Sequence, residues 1–156
     1  MADGYTIEIT GIDEIISKFQ QGDQVADKLL TNAMSQAVDL VGKDAGIYPP
    51  ETASNQPPPP YYIRGQGTQY ATFNMGESKD LRNQWEKTVE KVDEGVIGTV
   101  ENKVSYAPWV HGIQSQAWFH TRNNWRKVDQ IATDTESRIV EYFEIAAQQW
   151  ANFMRS

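Results

Sequence analysis

Two histidines, His111 and His120, stand nine residues apart within Val104 to Trp125 (VSYAPWVHGIQSQAWFHTRNNW). Neutral imidazoles are common metal ligands, and with a carboxylate such as Glu101 the pair could hold an ion for metal-assisted hydrolysis. That chemistry needs all three groups brought together by folding, because the spacing itself is that of a loop. The chain has no HExxH, no nucleophile elbow, no glycine loop to cradle a phosphate and no cysteine. Its carboxylates are scattered, so no acid–base pair stands out. Set among Tyr106, Trp109, Trp118, Phe119 and Trp125, the two histidines read first as packing and hydrogen-bonding residues. The expectation is a protein with no catalytic, cofactor or metal site.

The same stretch is a junction. Before it the apolar pattern has period two, and after it the period is about 3.6, so it joins a small sheet to a C-terminal helix. Aromatic side chains bury large areas at low entropic cost, and a cluster at a junction sets how two layers meet.

The elements around it can be read in order. Tyr5 to Ile9 alternates as a short strand, and Asp13 to Phe19 reads as a short helix. Asp23 is suited to cap a helix whose stripe is Val25, Leu29, Ala33, Ala37, Leu40, Val41 and Ala45, stopped by Pro49-Pro50. Leu81 to Val92 and Val96 to Val100 form a hairpin around Asp93-Glu94-Gly95. Val104 and Tyr106 continue it as the third strand of a meander, which either ends at Pro108 or runs on to Trp109 as an edge strand, because proline cannot donate to a ladder. Thr121 or Asn123 caps the last helix, whose apolar positions run from Trp125 and Val128 through Ile139, Phe143 and Trp150 to Phe153. The predicted fold is a single α+β domain over residues 1–156, a small antiparallel β-meander packed against two long helices.

Residues 51–80 carry no sustained period. Pro57 to Pro60 should hold a short polyproline rod, followed by Tyr61, Tyr62 and Arg64. Tyr61, Tyr62, Tyr70 and Phe73 are costly to leave in water, so this segment is expected to be an arm that reaches a neighbouring subunit.

Composition narrows the partners. The formal net charge is −7, and residues 1–60 hold nine acidic against three basic side chains. With no basic patch to neutralise phosphates, specific nucleic-acid binding is disfavoured, and an acidic face would suit a wall lining a DNA passage. The absence of cysteine excludes disulfides and points to a reducing compartment. MADGYTIEIT has neither the basic start nor the apolar run of a signal peptide, and no membrane-length apolar run exists.

The order of motifs carries a resemblance over residues 40–150. A helical N-terminal part and a proline-rich break precede Tyr62-Ile63-Arg64 and Leu81-Arg82-x-x-Trp85. A hairpin leads to Val-x-Tyr-Ala-Pro-Trp-Val-His-Gly (Val104 to Gly112), and Ala-Trp-Phe-His (Ala117 to His120) precedes the last helix. This resembles the neck and tail-completion proteins of tailed bacteriophages, the broad family that includes minor tail protein Z-like proteins. The chain departs from their Tyr-Val-Arg-Thr-Gly-x-Leu segment after Arg64, where Gly65-Gln66-Gly67 and an insertion replace it. The resemblance implies a non-enzymatic virion protein, assembled in the host cytoplasm. It would form an oligomeric ring at the head–tail junction or the top of the tail tube, in contact with connector and tail-tube proteins. Tyr61, Tyr62, Arg64, Trp109, His111, Trp118 and Phe119 are the expected contact residues. A soluble adaptor or toxin-like binding module, and a hydrolase using His111 and His120, are the alternatives.

Overall fold

The computed structural model describes residues 5–8, 24–50, 81–93 and 95–153, the first of these as backbone only. The expected helix at Asp13 to Phe19, the Asp23 cap, the polyproline rod, and Tyr61, Tyr62 and Arg64 lie outside the described residues.

A three-stranded antiparallel sheet packs against two long helices, the α+β arrangement expected. Strand β1 is Tyr5–Glu8, β2 is Trp85–Val92 and β3 is Gly95–Asn102, in the order β1-β3-β2. The hairpin β2–β3 pairs Val92 with Gly95 at its turn and Trp85 with Asn102 at its open end. On the other side of β3, Tyr5 lies opposite Asn102 and Glu8 opposite Thr99. Along β3 the alternation is clean. Val96, Gly98, Val100 and Asn102 face inward, while Ile97, Thr99 and Glu101 face the other way.

The third strand therefore comes from the start of the chain, not from Val104 to Trp109. Asn102 explains the difference. Its buried amide donates from Nδ2 to the Leu81 carbonyl at 2.9 Å, and its Oδ1 accepts from the Val104 N–H at 3.1 Å. That side-chain turn takes the chain out of the ladder. Backbone bonds from Ala107 N–H to the Val104 carbonyl and from Trp109 N–H to the Tyr106 carbonyl then start a short helix.

Helix α1, Gln24–Ala45, spans 22 residues and lies on the inner face of the sheet. Its buried face is Ala26, Leu30, Ala33, Met34, Ala37, Val38, Val41 and Ala45. Val25, Leu29 and Leu40, expected in the stripe, are half-buried. Small residues let the helix come close: a Cβ at Gly98 of β3 would collide with Met34 and sit 2.6 Å from Val38 Cγ1.

Beyond β3 come two short helices, α2 (Ala107–His111) and α3 (Trp118–Arg122), and then the long α4 (Val128–Phe153). Helix α4 packs against α1 and reaches β1. It buries Val128, Ile131, Thr135, Ile139, Phe143 and Ala146. Thr135 is tolerated there because its hydroxyl donates to the Ile131 carbonyl at 2.8 Å. The expected cap at Thr121 or Asn123 is displaced. Asn124 takes a left-handed conformation (φ 61°) after α3, and the chain enters α4 with Gln130 Oε1 accepting from the Lys127 N–H at 2.8 Å. Among the described residues, no helix is long and apolar enough to cross a membrane.

Candidate functional site

The aromatic stretch folds as a knob of two short helices, α2 and α3, joined by residues 112–117. Pro108 sits in the first turn of α2, where its missing N–H costs nothing. The knob is closed by its own polar groups. Ala117 N–H donates to the Trp109 carbonyl at 2.8 Å, and the Ser115 hydroxyl donates to the Pro108 carbonyl at 3.1 Å. Gln116 does most: its Nε2 donates to the Val110 carbonyl at 2.7 Å and to the Trp125 carbonyl at 2.8 Å. Its Oε1 accepts from the Thr121 hydroxyl at 2.8 Å. One amide thus ties α2, α3 and the approach to α4.

Underneath lies a second small core of Leu81, Val104, Ala107, Val110 and Trp125, with Tyr48 packed on it. Trp125 is its hub. Its ring centroid is 4.9 Å from Tyr48, 5.8 Å from His111 and 5.4 Å from His120. His111 also meets Trp85 edge-on at 5.5 Å. The whole knob is held to the helical layer by Arg126. Its guanidinium donates to the Asp44 carboxylate and to the Asp44 carbonyl, both at 2.6 Å, and to Asp134 at 3.2 Å.

Both imidazoles are neutral at neutral pH. His111 Nδ1 lies 2.7 Å from the Arg126 carbonyl, which can only accept, so Nδ1 carries the proton and Nε2 keeps a lone pair. Burial holds the His111 pKa below its ordinary value, and the Arg126 charge adds to this. Burial, with a smaller contribution from His111, pushes His120 down to about 4. The histidines cement the knob to Trp125.

His111 is only 2% exposed, so its expected place at a subunit contact is corrected: the ring is enclosed between Trp85 and Trp125. Nor do the two histidines meet a third ligand. Glu101 is paired with Lys103 at 2.9 Å, and among the described residues no group of three histidine, aspartate or glutamate side chains converges.

The outside of the knob is different. Trp118 is 72% exposed and Trp109 59%, with Phe119 and Ile113 also open to solvent. Trp118 and Phe119 meet edge-to-face, their centroids 6.0 Å apart. The bond from Ala117 to Trp109 brings the two tryptophans onto one structure. The expected contact residues Trp109, Trp118 and Phe119 are each open to solvent. Gln116 and Arg126, which fix the knob, were not anticipated. Both occur in polar runs, Gln114-Ser115-Gln116 and Arg126-Lys127, where nothing local distinguishes the inward member from the solvated one.

No protein-family model, curated protein or solved structure matches the chain.

Proposed function

We propose that this protein is a structural subunit of a bacteriophage virion, of the neck or tail-completion type, and that it assembles into a ring. The observation that carries the proposal is the exposure of three large aromatic side chains on the knob, Trp109, Trp118 and Phe119, the last two edge to face. Apolar surface of this kind on a folded monomer marks a binding site, and tryptophans are favoured anchors at such sites. The motif order shared with tail-completion proteins and the acidic balance of the chain support the same reading. In such a ring no bond is made or broken, and the contacts are between copies of the chain and with connector or tail-tube proteins.

Mass photometry and negative-stain electron microscopy of the purified protein test this. Rings at one high multiple of the subunit mass are expected. Trp109→Ala should lose assembly while keeping its circular-dichroism spectrum. A wild-type protein that stays monomeric alone and with neck or tail-tube partners defeats the reading, and a monomer that captures an unrelated soluble protein through the knob favours the adaptor alternative.

A further inference from the structure

The knob is charged unlike the rest of the chain. Between Glu101 and Asp129 the sequence has four basic residues, Lys103, Arg122, Arg126 and Lys127, and all 21 acidic side chains lie outside that stretch. Three of the four cations are committed. Lys103 pairs with Glu86 and Glu101, and Arg126 with Asp44 and Asp134. Lys127 Nζ donates to the Ile113 carbonyl at 3.0 Å. Arg122 is exposed and makes no ion pair among the described residues. It follows Trp118 and Phe119 on α3 by one turn, and side chains three and four apart on a helix are neighbours. A free cation thus stands beside two exposed rings.

The turn end of the β2–β3 hairpin carries the counterpart. Glu90 lies directly across from Ile97, and Val92, two residues further along β2, shares their face. This is the outer face of the sheet, because the alternate residues Lys87 and Lys91 reach Asp39 and Asp27 of α1 on the inner one. Glu90, Val92 and Ile97 are exposed, as is Asp93 in the turn. Neither Glu90 nor Asp93 makes an ion pair among the described residues. The knob is built on the other end of the same hairpin, where Trp85 meets His111 and Asn102 turns the chain toward Val104. From Trp85 to Val92 the strand advances about 23 Å. The register of β2 on β3 therefore sets the two patches at opposite ends of one ladder.

We propose that the hairpin tip of one copy receives the α3 face of the next, with Val92 and Ile97 taking Trp118 and Phe119, and Glu90 taking Arg122. The proposal rests on the ring reading and names the contact that propagates it. The two patches are unlike, so the contact is heterologous, repeats from copy to copy and closes into a ring when the rotation permits. Each patch sets apolar surface beside one uncommitted charge, and the two charges are opposite in sign. Ring burial supplies the affinity, tryptophan and arginine being favoured anchors, and the charge pair sets the register and discourages knob-to-knob contact.

The chain has no cysteine, so introduced ones report the contact directly. Thr88 is exposed on the same face as Glu90. Phe119→Cys mixed with Thr88→Cys should give a covalent dimer with a short bismaleimide. Phe119→Cys alone, or mixed with Ser137→Cys on α4, should not. In sedimentation velocity, Arg122→Glu and Glu90→Arg should each raise the concentration needed for assembly by about tenfold or more. Mixing the two variants should restore it, since every contact in an alternating ring then joins opposite charges. Both side chains are exposed and unpaired among the described residues, so the melting temperature should stay at the wild-type value. If rings form that need Trp109 yet ignore both charge changes and give no covalent dimer, the ring reading stands and this contact is wrong. A mixture as weak as its parts shows that Arg122 and Glu90 do not face each other, and dimers of Phe119→Cys with itself show knob-to-knob contact; either result overturns the proposal. A wild type that never assembles overturns both the contact and the ring.

Discussion

The amide of Gln116 serves three partners at once, and two of them, the Val110 and Trp125 carbonyls, are bonded at part-buried positions. Gln116→Leu keeps the bulk and removes every bond, so it should destabilise the fold by about 1–3 kcal/mol, read from urea unfolding. The histidines give a second prediction at this scale. The folded protein holds both imidazoles below their ordinary pKa of 6.5, so on acidification the unfolded chain takes up protons first. Their contribution is complete above pH 6.5 and is lost as the pH falls toward about 4, the folded value of His120. The urea midpoint should therefore fall between pH 7.5 and 5, and fall less in His120→Gln. An unchanged pH profile in that variant would show that His120 is not the group responsible.

Elements with a single strong period were legible before any coordinates. Helix α1 and helix α4 follow from spacing, because each buries one face and exposes the other, whereas Leu81 to Val92 has the spacing of a helix as well as a strand and the Asp93-Glu94-Gly95 turn decides for the β2–β3 hairpin. Three features were not legible, for separate reasons. The stripe on α1 keeps Ala33, Ala37, Val41 and Ala45 but takes Ala26 and Leu30 in place of Val25 and Leu29, because neighbouring apolar pairs look alike until the sheet and α4 are placed. Val104 and Tyr106 alternate as a strand would, but a long-range amide from Asn102 bends the chain first. Trp109, Trp118 and Trp125 look alike as letters. Yet the first two are on the surface and the third is 9% exposed, which depends on Tyr48 and Leu81 arriving from distant parts of the chain. Close approach is the other property of elements that composition hides. Gly98→Ala places a methyl against Met34 and Val38. Overpacking of this kind should cost about 1–3 kcal/mol and lower the melting temperature. Met34→Ala in the same chain should recover part of the loss, which would localise the clash to the α1–β3 contact.

The molecule as a whole separates what holds it together from what it offers to others. Its main core joins α1, α4 and the inner sheet face, and a smaller one carries the knob. Trp125→Ala should cost the monomer about 3–5 kcal/mol, because it empties the hub of the smaller core. Trp118→Ser removes a side chain that is 72% exposed, so monomer stability should stay within about 0.5 kcal/mol while self-association falls. Paired denaturation and sedimentation measurements on the two variants separate folding from assembly. A Trp118→Ser protein that unfolds as readily as Trp125→Ala would place Trp118 inside the fold.

The smaller core also fastens both ends of a long excursion of the chain. Tyr48, just before it, stacks on Trp125, and Leu81, just after it, is buried and tied by Asn102. With both roots anchored, the cost of closing whatever lies between them depends only weakly on its length, about 0.6 kcal/mol for each doubling. Shortening or lengthening residues 51–80, or replacing them with a glycine–serine tether, should therefore change the stability of the described fold little.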